Sequence, residues 1–395
     1  MNSFMKNLKK IKWSRYVSYI ILSLLAITCL FMALNFKGMD YSTKKQIYSY
    51  IPMLKNIAIN MLLAVSLSIV VGFLGELSLG HAGFMCVGAY FGGKIALAIC
   101  GSSDHPTVIS VIAAMLLGGL VAGACGFVVG LPALRLKGDY LAIVTLAFGE
   151  IVRVIFQNTK ADGFGGVNGL KTPKYTLDDS FVIITIALIT LVAAIAIIQN
   201  LIRSKHGRAI TAIRDNEIAA RATGVNVTKY KLIAFIIAAV FAGVAGALDS
   251  FCNSPVDAIN FTYNRSIDIL VMVVLGGMTI NGSLVSAAVI TAIETVLGDK
   301  FSGATKDFIY ALVLIVLVIY RNAPALKGFR EKYNFKNLWT KIFKPNHDPA
   351  RVRDDAARWD VVPTKIEMNE VLSTDIVIDN FGDNSADIGE RGGNK

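Results

Sequence analysis

Glu150 and Arg153 stand three positions apart inside the apolar stretch 140–156. On a helix that spacing puts them on one face, close enough to pair. Ionisable residues in hydrocarbon are costly and face a cavity or a partner. Two readings therefore stand: a structural ion pair, with Arg153 reaching toward the membrane surface, or a polar step in a solute path. Ser78 and His81 form a second polar group, in the Gly-rich run Gly75-Glu-Leu-Ser-Leu-Gly-His-Ala-Gly83 between two apolar stretches. Irregular backbone at membrane depth survives only where it is buried in protein or lines a water-filled cavity. The alternative is a plain turn at the membrane face. Lys94 and Glu294, also inside apolar stretches, read as structural or interfacial.

Other chemistries find no residues to carry them. Gly88-Ala-Tyr-Phe-Gly-Gly93-Lys94 approaches the phosphate-binding loop G-x-x-x-x-G-K-[ST], but Ile95 stands where a hydroxyl must reach Mg²⁺, and no strand precedes it. Gly163-Phe-Gly165-Gly166-Val-Asn168-Gly169 lacks the strand–turn–helix setting of a dinucleotide site. The histidines His81, His105, His206 and His347 share no metal-ligand spacing, and no Ser/His/Asp set is suggested. Cys29, Cys86, Cys100, Cys125 and Cys252 are scattered and read as small hydrophobes, with a Cys100–Cys252 disulfide as the alternative. The chain is not expected to be an enzyme, to bind a metal or cofactor of its own, or to bind nucleic acid.

The elements that must hold these residues follow from composition. Of 395 residues, 54% are hydrophobic and 17% charged, with a mean hydropathy of +0.57. Soluble domains carry about 25% charged residues, so an ordinary water-soluble enzyme is excluded. Ten apolar stretches occur: 17–34, 54–73, 83–100, 108–129, 140–156, 181–202, 232–248, 267–280, 284–297 and 308–320. Most approach the roughly 20 residues a helix needs to cross about 30 Å of hydrocarbon. The fold class is therefore an all-α polytopic membrane protein with about 8–10 transmembrane helices. The eighth and ninth stretches are short, with Asn281-Gly282-Ser283 between them, and form either two helices with borrowed flanks or a re-entrant pair. The first follows a basic N-terminus, residues 1–16, and reads as an uncleaved anchor.

Charge sets the orientation. The net charge of +11 divides into −5 after residue 345 and +16 before it. With the N-terminus inside, segments 1–16, 74–82, 130–139, 203–231, 281–283 and 321–345 are cytoplasmic and hold 21 Lys and Arg, against 9 in the opposite loops. By the positive-inside rule both termini are cytoplasmic. Glycines at close-packing spacing, such as Gly88/Gly92, Gly119/Gly123, Gly126/Gly130 and Gly243/Gly246, predict tight helix contacts.

The longest internal cytoplasmic segment, 203–231, is more than a linker. Asp215 or Asn216 can cap a helix there, and Glu217 falls in its first turn, where the dipole favours an anion. Ala219, Ala220 and Ala222 favour helix, and Gly224 suits a left-handed terminus. The result is a helix of about eight residues, roughly 12 Å long. Its small side chains leave room for another protein, with Arg214, Glu217 and Arg221 at the rim. A helix that only rests on the bilayer satisfies the same pattern.

Glu217-x-Ala219-Ala220-x-x-x-Gly224 resembles the coupling motif of ABC importer permeases. Four further segments match in order and spacing across roughly 50–325: Gly75–Phe84 with Gly88-Ala89-Tyr90, Leu136–Arg153, Gly165–Gly169, and Leu275-Gly276-Gly277-Met278 with Gly282. Together they resemble the LivM-type subunit of branched-chain amino acid importers, with Gly282-Ser283 where that family commonly has Gly-Pro. The resemblance implies an ABC permease bundle in a bacterial plasma (inner) membrane. Implied partners are a homologous LivH-type permease, two ATP-binding subunits that hold the ATP and Mg²⁺, and an extracytoplasmic substrate-binding protein. Arg214, Asp215, Asn216, Glu217, Ala219, Ala220, Arg221 and Gly224 would couple to the ATPases. Ser78, Gly80, His81, Gly83, Tyr90, Thr145 and Glu150 are the candidates for the translocation path. Urea and amide importers have similar permeases; an ion-coupled transporter would need a midplane carboxylate pair, for which only Glu150 offers itself.

The transmembrane domain is thus 17–320, followed by a basic, aromatic segment 321–345 that suits an amphipathic surface helix or a stop-transfer anchor. The acidic tail 346–395 reads as mostly disordered.

Overall fold

The computed structural model describes residues 41–100, 106–136, 138–159, 161–173, 180–301 and 304–322. The expected anchor 17–34, the basic N-terminus and the two segments read beyond residue 322 lie outside the described residues. Within them regular structure is helical, apart from one isolated antiparallel bridge, Leu170 with Val256.

The helices run in order as α1 (Tyr41–Ser68), α2 (His81–Cys100), α3 (Val108–Ala133), α4 (Asp139–Asn158), α5 (Ser180–Arg203), α6 (Lys205–Asp215), α7 (Glu217–Ala222), α8 (Val227–Cys252), α9 (Tyr263–Leu275), α10 (Ile280–Lys300) and α11 (Ala304–Asn322). Every apolar stretch from the second onward begins on one of them; 54–73 continues into the π-turn after α1, and 267–280 runs through the turn after α9. Among the described residues six helices are long and apolar enough to cross a membrane: Tyr50–Leu74, His81–Cys100, Val108–Ala133, Ser180–Arg203, Val227–Cys252 and Ile280–Gly298. The chain is a multi-pass membrane protein. Three expected spans, those on α4, α9 and α11, are not among the six, and the first two are weaker for physical reasons. α4 carries Asp139, Glu150 and Arg153 in 20 residues. α9 has only 13 residues, a rise of about 20 Å.

The turn between the eighth and ninth stretches lies earlier than the sequence suggests. It falls at residues 276–279, where Gly277 and Met278 take positive φ. Thr279 Oγ1 accepts from Gly282 N at 3.2 Å and caps α10, so Asn281-Gly282-Ser283 becomes its first turn. The pair is therefore two helices of unequal length.

Small residues set the centre of the bundle. α8 packs on α2, α3 and α1, while α1 also packs on α10 and α5. A Cβ on Gly88 would lie 2.1 Å from Gly243 O, and one on Gly246 would lie 2.0 Å from Met85 O. Only glycine lets these backbones approach so closely. The outer face of α3 exposes Ile109, Leu116, Leu120 and Val128, an apolar surface suited to hydrocarbon and unsuited to water. Cys100 and Cys252 are not joined, so the alternative disulfide does not form.

α1 ends in a π-turn, Ile69–Leu74, closed by Gly75 in the left-handed region. The end of the bundle that holds this turn also holds α6, α7 and the 276–279 turn, since Arg214 reaches Gly72 and Met278 lies against Gly72. At the opposite end, Leu170 and Val256 exchange backbone hydrogen bonds at 2.9 Å, and Thr172 bonds to Ser250 O and Ser254. Lys94 donates to Gly163 O there, a structural tie.

Candidate functional site

The 203–231 segment folds as two short helices. Ser204 Oγ accepts from Gly207 N to start α6, whose Ile210 and Ile213 are buried. Asn216, rather than Asp215, caps α7: its Oδ1 accepts from Ile218 N and Ala219 N, both at 3.0 Å. α7 has six residues instead of the expected eight, because Thr223 already terminates it. Gly224 then takes φ +85°, its N–H donating to Arg221 O at 3.1 Å, while Val225 N donates to Ala220 O at 3.1 Å. That left-handed closure is the one a glycine supplies at no steric cost.

One face of α7 is anchored and the other is open. Ala220 is buried, whereas Ile218, Ala219, Arg221 and Ala222 are exposed. Glu217 accepts from Arg221 at 2.9 Å and from Lys231 Nζ at 3.3 Å. Lys231, with a side chain only 3% exposed, also donates to Glu76. A nearly buried ammonium thus joins α7 to the first turns of α8 and to the segment that follows α1. Arg214 adds a second tie, donating to Gly72 O at 3.0 Å while pairing with Asp215 at 3.0 Å. Its cation satisfies a carbonyl at the C-terminal end of α1, where the dipole favours positive charge.

The break at 75–80 is held by side chains from three helices. Thr145 Oγ1 on α4 accepts from Leu79 N at 3.0 Å, and Ser266 Oγ on α9 accepts from Ala82 N at 3.0 Å. His81 Nε2 lies 2.7 Å from Ser66 Oγ on α1. Gly80 and Gly83 let α2 cross α4: a Cβ on either would meet Thr145 O at 2.5 Å or Gly149 Cα at 2.7 Å. Two of the break's backbone donors, Leu79 N and Ala82 N, are therefore satisfied inside protein. Ser78 is buried beside them, and Tyr90 is fully buried, stacked on Phe156 at 4.3 Å. Ser78, Gly80, His81, Gly83 and Thr145 are brought together; Tyr90 and Glu150 stand apart from that cluster.

Glu150 forms the ion pair with Arg153, Nε to Oε2 at 2.8 Å, and Arg153 extends to Gln157 at 2.9 Å. Its other oxygen accepts from Tyr263 N at 2.8 Å. The carboxylate therefore also caps the N-terminus of α9, where the helix dipole favours an anion. Both oxygens position helices.

An opening lies elsewhere. A cavity of about 480 Å³ sits between α1, α8, α9 and α10, lined by Asn56, Asn60, Asp249, Asp257, Arg265, Thr291 and Glu294, with Met85, Val256 and Phe261 as apolar wall. Arg265 Nη2 donates to Asn60 Oδ1 at 2.6 Å, and Asn60 Nδ2 donates to Thr291 Oγ1 at 2.8 Å.

Residues 50–318 match the model of the family described as branched-chain amino acid transport system / permease component. The chain belongs to this permease family. It is 34% identical over 308 residues to the high-affinity branched-chain amino acid transport system permease protein LivM of Salmonella typhimurium, covering 71% of this chain and 70% of the relative. The same identity and coverage hold for LivM of Escherichia coli. A probable LivM of Methanocaldococcus jannaschii is 28% identical over 240 residues, covering 54% of this chain and 68% of the relative. No solved structure matches the permease.

The five motif segments of the permease map to joints. They are the break before α2, the α4 crossing, the Gly165–Gly169 turn beside the Leu170–Val256 bridge, α7, and the 276–279 turn. The cavity escaped sequence reasoning. Asn60, Asp249, Arg265 and Glu294 are scattered over more than 230 positions, and Asp249 and Arg265 read as residues of a loop. The signal that could have found them is the rule that polar groups inside spans face one another, applied to all spans at once.

Proposed function

We propose that this permease is the LivM-type subunit of an ATP-driven importer that moves branched-chain amino acids across a bacterial plasma membrane. α6, α7 and both termini face the cytoplasm in this reading, which the positive-inside rule supports. The chain works beside a homologous LivH-type permease, above two ATP-binding subunits, and receives substrate from an extracytoplasmic binding protein. It holds no cofactor; ATP and Mg²⁺ belong to the ATP-binding subunits.

The observation that carries the reading is α7 itself: a six-residue helix with an exposed small-residue face, fixed from behind by Lys231 to Glu76 and Glu217. A helix that merely rested on lipid would need no buried ammonium beneath it. Closure of the ATP-binding subunits would push α7, and Lys231 and Arg214 would pass the displacement to α8 and α1. The solute path then opens or closes without chemistry in this chain.

The test is to co-express the gene cluster, purify the complex in mild detergent and identify its subunits by mass spectrometry. Reconstituted proteoliposomes are then given labelled leucine or urea, with and without ATP. ATP-dependent leucine uptake supports the reading. Uptake of urea alone moves the substrate to the amide class, and movement of solute without ATP-binding subunits refutes coupling through α7.

A further inference from the structure

We propose that the cavity between α1, α8, α9 and α10 is a binding site for an α-amino acid zwitterion, with Arg265 receiving the carboxylate and Asp249 and Asp257 the ammonium. This rests on the permease reading above and adds selectivity within the membrane subunit itself. The cavity's volume of about 480 Å³ falls within the roughly 300–1,000 Å³ of small-molecule sites.

Its lining carries both signs of charge. Asp249 comes from α8, Asp257 from the segment after it, and Arg265 from α9. Among the described residues, each hydrogen-bonds to a neutral group: Asn253 Nδ2 donates to Asp249 at 2.8 Å, Ile259 N to Asp257 at 3.0 Å, and Arg265 to Asn60 at 2.6 Å. Charges half removed from water and held by neutral groups are the arrangement that an ionic ligand completes. Asn60, itself held by Thr291, fixes the guanidinium by one N–H and leaves others for a carboxylate.

The geometry selects among ligands. No group of side chains placed to hold a metal ion occurs among the described residues. A neutral amide such as urea offers neither a carboxylate to Arg265 nor an ammonium to the aspartates. A zwitterion answers both signs, and Met85, Val256 and Phe261 offer its side chain an apolar wall.

The experiment uses the assembled permease–ATPase complex in nanodiscs, without the binding protein, and measures direct binding of labelled L-leucine. Leucinamide and 4-methylpentanoate, each lacking one charge, are the competitors. Both should compete at least tenfold worse than leucine, and Asp249→Asn or Arg265→Gln should weaken leucine binding at least tenfold. Asp257→Asn keeps the acceptor for Ile259 N, so its loss of binding reports charge and not folding; ATPase co-purification verifies assembly for each variant. If wild type transports leucine with ATP yet binds none directly, or if the assembled variants bind as wild type, the cavity assignment is overturned and the transport reading stands. If the wild-type complex, in proteoliposomes with ATP and its binding protein, moves no leucine, both fall.

Discussion

Lys231→Met isolates the joint between α7 and the bundle. Lys231 is 3% exposed at its side chain, Glu76 13% and Glu217 20%. Removing the ammonium leaves two largely buried carboxylates facing each other, a change that costs about 3–5 kcal/mol when one partner of a buried pair is deleted. Glu217 sits nearest the surface and retains Arg221 at 2.9 Å, which puts the cost at the lower end. Most of it falls on α7, because six residues cannot hold a helix by themselves. A loss of about 3 kcal/mol shifts the docked-to-undocked ratio roughly a hundredfold. Hydrogen exchange of the amides from 217 to 226, followed by mass spectrometry on the assembled complex, should show protection falling at least tenfold. Uptake into proteoliposomes should fall with it, while insertion is retained. Combining Lys231→Met with Glu76→Gln and Glu217→Gln should recover much of the protection, since two amides can share hydrogen bonds where two carboxylates repel. Wild-type protection and uptake in the single variant would refute the joint.

Gly224 separates conformation from contact: a Cβ there meets nothing within 4 Å, yet φ is +85°. Gly224→Ala should therefore cost only about 1–2 kcal/mol, all of it conformational, read as a modest drop in uptake and in exchange protection of α7. Gly224→Pro cannot adopt that φ and loses the donor to Arg221 O; the inserted protein should lose transport and ATPase co-purification, and normal uptake would remove the coupling role. Gly246→Leu drives a side chain into Met85 O, 2.0 Å from its Cβ position. Yield of folded protein in detergent and its thermal midpoint should both collapse, and a wild-type midpoint would contradict the close α2–α8 crossing.

Local chemistry explains which features could be read in advance. The helix at 217–222 was visible because its signals are all within nine residues: a cap, an acid in the first turn, alanines, a left-handed glycine. The glycine contacts were visible because helix spacing alone puts Gly243 and Gly246 on neighbouring faces. Its boundaries were less so, since one hydroxyl, Thr279, moved the start of α10 ahead of the Asn-Gly-Ser run that looked like a turn. Glu150 was correctly seen as a partner for Arg153, but its hold on Tyr263 N spans 113 positions and leaves no local trace. The same holds for Lys231 with Glu76, 155 positions apart, and for Arg265 with Asn60, 205 positions apart, in the cavity.

α1 and α8 connect α7 to that cavity, and they differ in stiffness. α8 runs unbroken from Val227 to Cys252, so Lys231 and Asp249 share one rod. Their separation of 18 positions in sequence spans about 27 Å, and a tilt of about 5° about one end would carry the other roughly 2 Å, the scale of helix shifts in switching proteins. In α1, by contrast, the π-turn Ile69–Leu74 lies between Asn60 and the Glu76 anchor, and such turns interrupt the regular hydrogen-bond ladder. In the coupling reading proposed above, force applied at α7 would pass along the unbroken α8 and be absorbed by the π-turn of α1. The two helices would slide unequally at their far ends, moving Asp249 relative to Asn60 and the Arg265 it holds. A lever of this kind acts on the spacing between the cavity's opposite charges, the one distance on which a zwitterion's fit depends.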